Sequence, residues 1–225
     1  MPCVTLQNSL IFSAGGVVPG DVTITRGTDN EGDNGLWNYF YNYSSGNYFI
    51  PASDITAIPT GATIQKIAVN LDTTQSGTTT FTINNVDVWI YSHPTATEYP
   101  VGLQVNGFSS SDTTYNAGIT DYTQVMTNGT LSYTQTSGDP NFRYVDFTFT
   151  SPFTYNGGAI AFNINNKDGS YISGTGSSPG WIGDSTTHSG RFFARRQNDT
   201  LGAYAPTDTA SVYAGFKPNI KIYWT

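Results

Sequence analysis

VDFTFTSPFTYNGGAIAFNINN, from Val145 to Asn166, is the stretch that decides how the rest of the chain is read. Val145, Phe147 and Phe149 alternate with Asp146, Thr148 and Thr150, the period of two expected of a strand with one buried face. Asn156-Gly157-Gly158 follows as turn chemistry, and Ile160, Phe162 and Ile164 then resume the alternation. Working outward, the same pattern recurs at Ile67/Val69/Leu71, at Val86/Val88/Ile90 and at Ile220/Ile222/Trp224. Shorter strand candidates are Val4–Phe12, Asp21–Arg26, Phe81–Ile83, Thr123–Met126, Thr130–Thr134 and Arg191–Arg195. Pro19-Gly20 and Asn128-Gly129 read as turns between them. Strands at such spacing belong to a sandwich or barrel. Only Ala52–Ala57 reads as a helical turn, with Ser53 or Asp54 as N-cap and Pro59 ending it.

Composition agrees. The 225 residues hold 33 Thr, 15 Tyr and 19 Asn but only 7 Leu, 4 Lys and 2 Glu, so strand and turn formers displace helix formers. We therefore expect an all-β protein: an antiparallel β-sandwich of jelly-roll type with one short helical turn. It would occupy residues 36–225 behind an N-terminal extension, residues 1–35, that serves as a docking region. His93–Thr120 and Gly169–Gly190 read as long loops, which in compact domains tend to be functional.

Charge and cysteine usage exclude several classes. A net charge of −7 with scattered Arg gives no basic stripe for phosphate, so nucleic acid is not an expected partner. No apolar run approaches the roughly 20 residues of a spanning helix, so no membrane insertion is expected. Cys3 is the only cysteine, which rules out an intrachain disulfide or a thiolate zinc site. The opening MPCVTLQNSLIFSAGGVVPG lacks a basic n-region and does not read as a secretory signal.

Three groups of residues carry candidate chemistry. Trp37, Tyr39, Tyr41 and Tyr43 share one face if the stretch is a strand, and flat aromatic rows hold sugar rings or subunit interfaces. Asp29, Glu31 and Asp33 set three carboxylates at alternate positions of a Gly-containing stretch that a hard cation such as Ca²⁺ would accept, although the distal Glu of an EF-hand is missing; a solvated acidic turn is the alternative. Arg191, Arg195 and Arg196 gather three of the nine cationic side chains, for an anion or for Asp residues of a partner. His93 and His188 are the only histidines, in different expected loops, and neither a zinc motif nor a nucleophile elbow is present. No catalytic residue is assigned and no cofactor is required, so the chain reads as non-enzymatic.

Ordered motifs also carry a family resemblance. YFYNYSSGNYFIPASDI, GATIQKIAVNL, VDVWIYSHPTATEY, VDFTFTSPFTYNGGAIAFNINN and FKPNIKIYW follow one another between about Trp37 and Trp224. In that order they resemble the β-sandwich modules of secreted, adhesive or glycan-degrading proteins of the Bacteroidota. The resemblance implies non-catalytic binding or adhesion and names no ligand. Such modules sit in long chains with a signal peptide and a sorting domain. A leaderless copy beginning at its own Met resembles what a bacteriophage of such hosts would carry on its particle. The expectation is thus a structural or adhesive protein of the virion surface: a head decoration, fibre or tail-adhesin component. It would form homo-oligomers, contact other virion proteins and touch host-surface glycans. The alternative is a carbohydrate-binding or adhesion module of a secreted bacterial protein, located outside the cell.

Overall fold

A computed structural model describes residues 19–31, 43–71, 79–93, 122–135, 143–169, 181–184, 193–198, 212–214 and 217–225. The described residues form two antiparallel sheets and a single short 3₁₀ turn, an all-β sandwich with no closed barrel. The first sheet runs β1 (Gly20–Ile24), β13 (Ile220–Trp224), β4 (Thr63–Leu71), β9 (Trp181–Asp184) and β12 (Lys217–Pro218). In addition, β2 (Asp29–Glu31) joins it through β9, and β7 (Arg143–Thr154) joins it through β4. The second sheet has the order β11 (Val212–Ala214), β10 (Phe193–Asn198), β3 (Tyr43–Ile50), β8 (Ala159–Asn166), β5 (Thr79–His93) and β6 (Thr123–Gln135). From β3 to β8 the chain crosses between sheets repeatedly, as jelly-roll-type sandwiches do.

The alternating residues meet in one core. From the seven-stranded sheet come Ile67, Val69, Val145, Phe147, Ile220, Ile222 and Trp224, and from the six-stranded sheet Tyr48, Ile50, Val88, Ile90, Phe162 and Ile164. Ile64 is also buried although its parity differs from that of Ile67, because the pairing with β7 shifts register between Ile64 and Lys66. A bulge there inserts one residue and returns the apolar face to the core. Tyr48 stacks on Phe162, with centroids 5.1 Å apart and planes 20° from parallel.

Several expectations change in detail. Thr123–Met126 and Thr130–Thr134 are not separate strands around an Asn128-Gly129 turn. They form the continuous β6, which absorbs the dipeptide as an irregularity with Asn128 at φ 49°. Likewise Phe81–Ile83 and Val86–Tyr91 merge into the fifteen-residue β5, bent at Asn85 with φ 55°. Long-range pairing satisfies the backbone through these points, overriding the local turn preference. The helical turn shortens to Ala52–Asp54, and Pro51 caps it without a side-chain hydrogen bond, in place of Ser53 or Asp54. Within Gly169–Gly190, the tetrapeptide Trp181–Asp184 is a strand rather than loop. Val4–Phe12 and most of His93–Thr120 lie outside the described residues.

The turn at Asn156-Gly157-Gly158 forms as read, with φ of 91° and 84° at the two glycines, values that suit residues without a Cβ. The Ser92 hydroxyl donates to Gly157 O at 2.6 Å and the Tyr155 hydroxyl to Gly158 O at 2.5 Å, so the turn is held from two sides. Strand β1 pairs with β13 from Gly20↔Trp224 to Ile24↔Ile220. Beyond it, buried Asn219 accepts from the N–H groups of Arg26 and Gly27 and donates to Gly27 O at 2.9 Å. A Cβ on Gly27 would lie 2.5 Å from Gly183 O and 3.2 Å from Asp184 Cα, both backbone atoms of β9. Gly27→Ala is therefore expected to cost about 1–3 kcal/mol through overpacking. Urea denaturation measures it, and a loss under about 0.5 kcal/mol would show that the two segments separate easily.

Candidate functional site

The outer faces of the two sheets differ in chemistry. On the seven-stranded sheet, the Lys66 ammonium meets Asp146 at 2.7 Å and Lys221 meets Asp21 at 3.2 Å. Both lysines also lie over the Tyr223 ring, at 3.9 and 4.9 Å from its centroid. Neighbouring Tyr144 has its pKa raised, chiefly because burial disfavours the phenolate. This face is a lattice of solvent-screened ion pairs whose charges are matched within the chain.

The outer face of the six-stranded sheet is instead aromatic and amide-rich. Every residue of β8 is buried, on both faces of the strand. Its core side carries Ile160, Phe162 and Ile164, and its outer side carries Ala159, Ala161, Asn163 and Asn165. Register sets tall neighbours beside these small ones. Ala161 lies between Phe49 of β3 and Tyr91 of β5, Asn163 is opposite Trp89, and Ala159 is opposite His93. Tyr122 closes the aromatic end, its ring 5.8 Å from that of Tyr91, and His93 meets Tyr91 edge-on at 6.0 Å. In this cluster the Ala and Asn residues of β8, Phe49 and Tyr122 are buried, and Trp89, Tyr91 and His93 are half-buried.

Polar handles accompany the rings. The Trp89 indole Nε1–H is buried and donates to no acceptor among the described residues, although such donors are nearly always paired. Asn163 and Asn165 bring side-chain amides to the same strand face, both of them buried. At the far end Asp87 is neutralised by Lys167 at 2.6 Å, so the face carries no unpaired charge there. Burial lowers the pKa of His93, favouring the neutral imidazole at neutral pH. The part of this cluster open to a ligand is the half-buried row Trp89, Tyr91 and His93, which suits a neutral ligand with apolar faces.

The residues singled out from sequence are placed as follows. Trp37, Tyr39 and Tyr41 lie outside the described residues, and Tyr43 opens β3 opposite Asn198. Asp29 and Glu31 belong to the extended strand β2, paired with Gly183 and Trp181, while Asp33 lies outside the described residues. Arg195 and Arg196 occupy β10 opposite Gly46 and Ser45, and Arg191 lies outside the described residues. Among the described residues, no three His, Cys, Asp or Glu side chains converge on a common point.

Trp89 and Tyr91 are not among the residues singled out from sequence, although they alternate with Val86, Val88 and Ile90. The signal was a strand, VDVWIY, whose non-core positions hold Trp and Tyr instead of small polar residues. Compared with protein-family models, with curated proteins and with solved structures, the chain matches none.

Proposed function

We propose that this chain is a non-enzymatic structural and adhesive protein of a bacteriophage particle surface, and that it contacts host-surface glycans through the outer face of its six-stranded sheet. The observation that carries the reading is the row Trp89, Tyr91 and His93, half-buried rings at alternate positions on the outer face of β5. Aromatic faces take the apolar side of a sugar ring, and the half-buried imidazole of His93 offers a polar group beside them. The virion setting is supported by the low charge, by a surface of neutral hydrogen-bonding groups and by the motif resemblance. Copies on a particle are related by symmetry, so a homo-oligomer follows from that setting.

Two measurements on one preparation test this. The chain should co-purify with particles at a fixed ratio to the capsid protein, and the isolated protein should be retained on an array of neutral glycans. Retention without particle association would move the protein to the alternative, a carbohydrate-binding module of a secreted bacterial protein. Particle association without retention would leave a purely structural part.

A further inference from the structure

At the polar end of the six-stranded sheet, three side chains from three strands meet. Asp87 lies on β5, Asn128 on β6, and Lys167 directly follows the last residue of β8. The Lys167 Nζ donates to Asp87 Oδ2 at 2.6 Å and to Asn128 Oδ1 at 2.8 Å. Asp87 Oδ1 in turn accepts from the Asn128 backbone N–H at 2.8 Å. The lysine backbone is fixed as well, its N–H donating to Asn85 O at 3.1 Å. Asn128 is held at φ 49°, and a Cβ on Gly129 would lie 1.7 Å from Met126 Cε, so the segment is closely packed as well as hydrogen-bonded. The Asp87 side chain is only 9% exposed and that of Lys167 20%, while Asn128 lies at the solvent-exposed edge of the cluster.

From this juxtaposition we infer that Lys167 and Asn128 form an intramolecular isopeptide bond, with Asp87 as the proton carrier. A primary amine, a carboxamide and a carboxylate in mutual contact are the reactants such a bond requires. The hydrogen bond to Oδ1, at 2.8 Å, brings Nζ beside the carboxamide carbon, the proximity that a reactive arrangement needs. Rotation of the carboxamide then turns its face to the nitrogen. The ammonium first gives one proton to the Asp87 carboxylate that it already touches. The neutral amine attacks Asn128 Cγ, forming the new C–N bond. Asp87 passes its proton to the departing Nδ2 and takes a second proton from the attacking nitrogen, and the bond from Cγ to Nδ2 breaks. Ammonia leaves, Asp87 returns its remaining proton to solvent, and no oxidant or reductant is involved.

The product ties β6 to the end of β8 across β5, since β5 lies between them in the sheet. A chain whose only cysteine is Cys3 has no intrachain disulfide, and this amide would supply the missing covalent staple. The bond stands or falls independently of any ligand on the aromatic part of the face.

Intact mass and a tryptic map of the purified full chain test the inference. The protein should be lighter than its sequence by one ammonia, trypsin should not cut after Lys167, and the peptides 67–143 and 144–191 should appear joined. Asp87→Asn, which keeps the shape but carries no proton, should restore the full mass and the cut, and Lys167→Arg should also abolish the link. A wild-type chain at full mass would overturn the proposal. So would loss of ammonia with separate peptides, which marks a succinimide at Asn128-Gly129, or a gain of one mass unit from deamidation. A joined pair in Asp87→Asn would remove Asp87 from the mechanism. The wild-type map is decisive even where a variant fails to fold.

Discussion

Phe162→Ala is expected to remove most of the stability of the fold, by about 3–5 kcal/mol. Phe162 is fully buried on β8, the strand flanked by β3 and β5, and stacks on Tyr48 at 5.1 Å. Truncation forfeits the transfer energy of the ring and leaves a cavity between two sheets that their backbone pairing prevents from collapsing. A domain of this kind holds roughly 5–15 kcal/mol in total, so the variant would be substantially less folded at 37 °C. Chemical denaturation with an unchanged slope and a lowered midpoint is the expected signature. A loss under about 1 kcal/mol would mean that β8 does not run through the centre of the core.

Trp89→Ala carries the largest expected effect on binding. The indole stands on the outer face, opposite Asn163, and is only half-buried, so its removal should cost little stability. Stacking on the ring is worth about 2 kcal/mol at an anchoring position. That corresponds to retention on a glycan column weaker by about 10- to 30-fold. Lys66→Ala, on the opposite sheet, should leave retention unchanged. Equal weakening by both substitutions would place the contact elsewhere. Weakening by Trp37→Ala with none by Trp89→Ala would locate it on the Trp37–Tyr43 row.

The architecture was legible because its signal is local and repeated. Val145/Phe147/Phe149, Ile160/Phe162/Ile164 and Ile220/Ile222/Trp224 alternate cleanly, and each set is buried in the one core. Where irregularities intervene, periodicity misleads. Asn85 and Asn128 carry turn chemistry, yet pairing between β5 and β6 resumes before and after them, so both strands continue through. Nothing in the local residues distinguishes a turn from a bulge, because the decision depends on whether a partner strand is present.

The site was less legible for a related reason. Trp89 and Tyr91 are visible as the non-core face of a strand, but a strand has no knowledge of its neighbours. Their meaning depends on Ala161 and Asn163 lying beside them, residues some seventy positions away that register alone brings into place. The same holds for Asp87, Asn128 and Lys167, which are unremarkable as separate residues and become a reactive triad only once β8, β5 and β6 are adjacent. Composition and period by themselves determined that this chain is all-β with a given set of inward residues, since alternation follows from strand geometry alone. Which outward residues stand together was decided only by the tertiary structure, because strand order and register are set by the whole core and not by any one segment.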